Sequence, residues 1–173
     1  RGIESKIGFK VDYLEQLFAW NRPGRDVRGW VVTVAYFAIT TEHAPLVTPD
    51  SRVVQDEFVL RVDQGSNEPA VVQIEPRGPD PVVLAFDHAE ILGAVVRRLQ
   101  RDIWSTRVSL QFLPEEFTLR SLQVVFEAVL GHSLNKDSFR RRVSQTLRIV
   151  EPTGKLEEDV NHRPAELYRA VVD

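Results

Sequence analysis

The chain changes its hydrophobic rhythm once, near residue 87, and that change divides the reading. Before it, residues 11–20 and 29–41 are rich in β-branched and aromatic side chains and predict two strands, joined by the loop Asn21 to Arg28. The second segment, Gly29 to Thr40, is almost continuously apolar and predicts a strand buried on both faces in the middle of a sheet. Shorter strands are expected near Glu57–Val62, Ala70–Glu75 and Pro81–Leu84, set apart by turn signals such as Gly65-Ser66-Asn67 and Arg77-Gly78-Pro79-Asp80. Arg1 to Phe9 reads as the end of a helix stopped at Gly8, so a fragment with its front missing is expected.

From residue 87 the period becomes helical. Asp87-His88-Ala89-Glu90 has capping-box spacing, and Ile91, Leu92, Val95, Val96 and Leu99 follow on one face to about Arg101. From Leu110 the pattern predicts two short helices and a hairpin. Thr118 caps the first helix, with Phe117 and Leu122 at staple positions and Gly131 as its stop. Asn135 caps the second, with Leu134 and Phe139 again placed as a staple. Two capped helices around Gly131-His132-Ser133-Leu134 form a helix-turn-helix candidate.

The second of these helices, Lys136 to Arg148, carries the most informative chemistry. Phe139, Val143 and Leu147 recur every four residues and form its buried edge. The opposite face carries Asp137, Ser138, Arg141, Ser144, Gln145 and Arg148, flanked by Arg140 and Arg142. Five basic residues stand against one acidic, a local +4 inside a chain of net charge -3. Arg and Gln can make paired hydrogen bonds to guanine and adenine edges, so Arg141, Gln145 and Ser138 are the candidate base readers. Lys136, Arg140, Arg142, Arg148 and Arg163 are the candidate phosphate contacts. Ile149-Val150-Glu151 and Leu167 to Val171 read as a two-stranded wing, with Gly154, Lys155, His162, Arg163 and Pro164 in the loop between. A solvated basic helix docked on an acidic protein partner is the competing reading.

Composition narrows the classes. At 173 residues, 43% hydrophobic and 27% charged, the chain is a folded protein of one or two small domains. No apolar run reaches the roughly 18–20 residues of a membrane helix. With no Cys, disulfides and thiolate metal sites are excluded. The mildly acidic total means that any DNA contact must come from a local patch.

The segments Leu84 to Ile91, Leu113-Pro114-Glu115-Glu116-Phe117-Thr118-Leu119, Phe139-Arg140-Arg141 and Arg163 to Arg169 together resemble the NrtR family of bacterial Nudix-related transcriptional regulators. Tyr13 to Leu17, Pro23 to Gly29 and Val34-Ala35-Tyr36 are similar to the Nudix-like domain of that family. The resemblance is weak over 42–83. It implies an α/β class: a truncated Nudix-like α/β/α effector domain (1–86), a linker helix (87–104) and a C-terminal winged helix-turn-helix domain (105–173). It further implies a cytoplasmic homodimeric repressor of NAD-metabolism genes on a pseudo-palindromic operator. ADP-ribose or a related NAD metabolite is the implied effector, with no other cofactor. Some relatives sense a pentose instead.

Catalytic Nudix proteins end their signature in Arg-Glu-apolar-x-Glu-Glu-x-Gly-apolar, whose glutamates hold the metal that activates water. Aligned on Gly8, this chain matches at Arg1, Ile3, Gly8 and Phe9, but Gly2, Ser5 and Lys6 stand where the glutamates belong. No catalytic and no metal residue is therefore assigned; an active ADP-ribose hydrolase is the alternative. Within the same resemblance, Arg22, Arg25, Asp26 and Arg28 are the candidate effector contacts, a surface turn being the bland reading. His88 reads as a helix-start residue, and His43, His132 and His162 lack partners at metal-ligand spacing. Trp20, Trp30 and Trp104 read as core or interface anchors.

Overall fold

The computed structural model describes residues 11–24, 26–41, 58–62, 72–76, 84, 87–158 and 160–171. Pro81–Val83, His43, Arg25 and the Arg1 to Phe9 segment lie outside the described residues. The chain divides into two compact units, 1–98 and 99–173.

In the first unit, β1 (Tyr13–Trp20) and β2 (Thr33–Ile39) pair antiparallel, with Tyr13 opposite Ile39 and Trp20 opposite Thr33. A register shift falls between Gln16 and Phe18. Side chains alternate across the pair as strand geometry requires. Ala35, Phe37 and Ile39 are buried, and the Tyr13 and Phe37 rings lie 5.8 Å apart. The other face is open in this chain: Val34 is 48% and Tyr36 55% exposed. The expected strand buried on both faces is thus a one-sided strand. Its outward positions happen to be apolar, and that hides the alternation in the sequence. It also begins four residues late: Gly29 sits at φ 142°, and Trp30 is 78% exposed, with its indole N–H donating to the Asn21 carbonyl. Trp30 is therefore no core anchor in this chain.

The hairpin β3 (Phe58–Val62) and β4 (Val72–Pro76) follows, with Phe58 opposite Pro76 and Val62 opposite Val72. Helix α1 (His88–Asp102) opens at Asp87, whose carbonyl accepts the Glu90 and Ile91 N–H groups. Glu90 directs its carboxylate to Arg22 at 2.8 Å, and Arg98 meets Glu15 at 2.9 Å.

The second unit is built around one core. Ile103, Leu110, Phe117, Leu119, Leu122, Phe126, Phe139, Val143 and Val150 are buried together. A 3₁₀ turn (Val108–Phe112) leads to β5 (Phe117–Thr118) and α2 (Leu119–Leu130). The predicted caps hold. Thr118 accepts the Ser121 N–H at 3.0 Å, and Gly131 ends the helix at φ 76°, a left-handed conformation that favours glycine. Helix α3 (Lys136–Arg141) follows, then β6 (Val150–Leu156) and β7 (Glu166–Ala170). The sheet order is β5-β7-β6, antiparallel throughout. Gly154 and Lys155, expected in the wing loop, lie in β6. Gly154 at φ 77° supplies the irregularity between Pro152 and Leu156, and the loop proper begins after Leu156.

Candidate nucleic-acid interface

The turn between α2 and α3 is fixed before any cation is placed. Glu127 accepts the Leu134 N–H at 2.9 Å and the Gln123 side-chain amide at 2.9 Å. Gln123, itself buried, also donates to the Leu134 carbonyl at 2.9 Å. The Leu134 N–H and the Gln123 amide, joined by Arg120, hold the Glu127 carboxyl below the usual glutamate range. Asn135 then caps α3 by accepting the Ser138 N–H at 3.0 Å. Phe139 and Val143 anchor the helix in the core, and Leu147 is half-buried.

The expected continuous α-helix to Arg148 is corrected here. It is α-helical only to Arg141; Arg142–Thr146 forms a π turn, in which the Leu147 N–H reaches the Arg142 carbonyl at 2.8 Å. The every-fourth-residue apolar spacing explains this. Four α-helical residues advance about 400°, so such an edge drifts about 40° per step. A wider turn after Arg142 offsets the drift over the step from Val143 to Leu147 and keeps Leu147 partly buried on the same edge. The helix then stops at Arg148, at φ 52°, a non-glycine residue in the left-handed region.

The open face carries the predicted residues. Lys136, Ser138, Arg140, Arg141, Arg142, Gln145 and Arg148 are all exposed, whereas Ser144 is half-buried. None of Lys136, Arg140, Arg141 or Arg148 forms an ion pair among the described residues. Arg142 lies over the Trp104 ring, its guanidinium carbon 3.7 Å from the centroid. Arg163 is exposed in the wing loop, which Glu157 closes by exchanging backbone and side-chain bonds with Ala165. Other cations of the unit are committed: Lys155 to Glu116 at 2.7 Å, Arg169 to Glu151 at 2.7 Å and Arg120 to Glu127 at 3.4 Å. Sequence reasoning did not find the Trp104 contact or the Glu127 clamp. Their partners lie 38 and seven residues away in the chain, where no local spacing rule reaches.

The loop 21–28 is different. Arg28 grips Asp26 through two nitrogens, at 2.9 Å and 2.6 Å, and Arg22 is held by Glu90. The structure brings together Asp26 and Arg28 of the expected effector set, but by pairing them with each other.

Comparisons with known proteins follow the same division. The NrtR DNA-binding winged helix domain matches residues 109–170. The chain is 33% identical to the "ADPR responsive transcriptional repressor NtrR" of Acinetobacter baylyi, across 98% of this chain and 60% of that protein. The chain thus spans 60% of the length of the curated relative it matches. Shewanella oneidensis NrtR complexed with a 27mer DNA is similar at 31% identity and a TM-score of 0.67, over 98% of this chain and 69% of that one. A MutT/nudix family protein from Enterococcus faecalis is similar at 27% identity and a TM-score of 0.68, over 98% and 66%.

Proposed function

The chain belongs to the NrtR family, and we propose that it acts as a bacterial transcriptional repressor that grips operator DNA through residues 136–148 and the wing. The observation that carries this reading is the selective pairing of charge. Among the described residues, the cations on the exposed side of α3 and its π turn are left without carboxylate partners, while Arg101, Arg120, Lys155 and Arg169 of the same unit each meet a carboxylate. Unpaired, exposed Arg and Lys on a helix anchored by a fixed turn are what duplex recognition needs. In this reading Ser138, Arg141 and Gln145 read base edges. Lys136, Arg140, Arg142, Arg148 and Arg163 hold phosphates. A homodimer on a pseudo-palindromic operator would set two such helices roughly 34–36 Å apart.

The same proposal gives the first unit a Nudix-like effector role, sensing ADP-ribose or a related NAD metabolite in control of NAD-metabolism genes in the cytoplasm. The similarity to a protein named for its ADPR response supports it. The absence of glutamates at Gly2, Ser5 and Lys6 supports a domain that binds without hydrolysing. Ligand at Arg22 and Arg28 would have to share or displace the Glu90 and Asp26 carboxylates.

The test is an anisotropy titration against a duplex enriched from a randomised pool, across a salt series. Steeply salt-dependent binding, weakened or strengthened by ADP-ribose, is expected. Binding of no duplex at low salt would overturn the DNA reading. Release of AMP from ADP-ribose with Mg²⁺ would overturn the non-hydrolytic one.

A further inference from the structure

The exposed arginines of the basic helix are not presented alike. Arg140, Arg141 and Arg148 form no ion pair among the described residues, but the Arg142 guanidinium carbon lies over the Trp104 ring, 3.7 Å from its centroid. The ring beneath it is itself immobilised. Trp104 lies 4.5 Å from Phe126 and 6.1 Å from Phe139, and those two rings meet edge-on at 5.2 Å. The backbone is fixed as well, since the Arg142 carbonyl accepts the Leu147 N–H that closes the π turn. A guanidinium stacked on an indole has one face covered, while its N–H donors point outward in its plane. Arg142 remains exposed and pairs with no carboxylate among the described residues. Its donors are thus oriented but uncommitted, which lowers the ordering cost of a contact made later.

We propose that Trp104 is a positioning residue for DNA: it holds the Arg142 guanidinium as a preset clamp for a backbone phosphate beside the base-reading face. This inference rests on the DNA-binding reading of the basic helix. A stack that merely glues the core together would make a different set of predictions.

The experiment measures anisotropy of the labelled, pool-enriched duplex with the 173-residue chain across a salt series, with a thermal melt of each variant. Arg142→Ala is expected to lower the slope of log affinity against log salt by about 0.9, the loss of one phosphate contact. Arg142→Lys keeps that slope but binds about two- to twelvefold more weakly, the ordering cost of a long side chain that is no longer held flat on the ring. Trp104→Phe retains a ring face and binds like wild type. Trp104→Leu weakens binding, and adding Arg142→Ala to it gives no more loss than Arg142→Ala alone. An unchanged salt slope in Arg142→Ala overturns the clamp. Additive losses in the double variant overturn the role of Trp104. If Trp104→Leu does not fold, Trp104→Met, which fills similar space without a ring face, takes its place in the same cycle with the same expected and overturning results. Failure of the wild-type chain to bind any duplex would instead overturn the reading on which this inference rests.

Discussion

Two arginine-rich segments of this chain look alike in sequence and differ once folded. The loop 22–28 holds three Arg with one Asp, and the segment 136–148 holds four Arg and one Lys with one Asp. In the loop, Arg28 is clasped by its near neighbour Asp26, and Arg22 by Glu90. On the helix, the single acid, Asp137, stands in the first turn and pairs with none of the cations among the described residues. Counting charges finds both segments. Only the positions of the carboxylates in the folded chain separate the paired Arg22 and Arg28 from a surface that still has donors to give.

The largest test of this contrast removes the frame of the helix. Phe139→Ala should cost about 3–5 kcal/mol of stability, as for other buried aromatics, and abolish duplex binding. In the loop, Val27 is fully exposed, so Val27→Ala should change stability by no more than about 0.5 kcal/mol. Urea unfolding compares the two; similar losses would break the contrast. Next comes recognition itself. Arg141→Ala should weaken operator binding by roughly 1–3 kcal/mol and relax base preference, whereas Arg28→Ala should leave duplex affinity unchanged. Equal losses in an anisotropy titration would mean that both segments meet DNA.

Removing the cap of the basic helix should matter less. Asn135→Ala is expected to cost about 1 kcal/mol, read as a lower melting temperature. A smaller effect should depend on pH. Because Glu127 is held below its ordinary range, its contribution is present in full above the unfolded-state value and is lost as pH falls through the lowered one. An acid titration of the melting temperature should therefore show wild type losing ground to Glu127→Gln as the carboxylate protonates; parallel curves would remove Glu127 from the account. The smallest effect should be that of Asp26→Asn, which frees an exposed Arg28 and should barely move the melting temperature.

What the sequence makes legible depends on distance along the chain. Thr118, Gly131 and Asn135 act within three or four residues of themselves, so their spacing alone locates both helices of the helix-turn-helix pair. The staples Phe117 with Leu122 and Leu134 with Phe139 are equally local, and all four side chains join the core. Longer reach defeats the pattern. Two residues at Phe117–Thr118 are too few for any periodicity, and they become a strand only because Leu167 and Tyr168 pair with them. The π turn answers a packing demand, invisible until Val143 is seated in the core and Leu147 must follow it. The one-sided exposure of β2 is masked because Val34 and Tyr36 are as apolar as the residues facing inward. Of the candidate interface, the cations could be named from the sequence, but their lack of carboxylate partners among the described residues could not.

The strand order of the winged-helix sheet sets a timetable for making the protein. The middle strand, Glu166–Ala170, is the last of the three in sequence. Thr118 must therefore wait about 50 residues for its partner Leu167. On the ribosome, α2 and the basic helix emerge first, and their aromatic faces have no closed sheet to cover them until residues 166–170 have left the exit tunnel. Joining ends so far apart is entropically slower than forming a helix or hairpin. The surface proposed to meet DNA is thus expected to be completed late, only when residues 166–170 have paired.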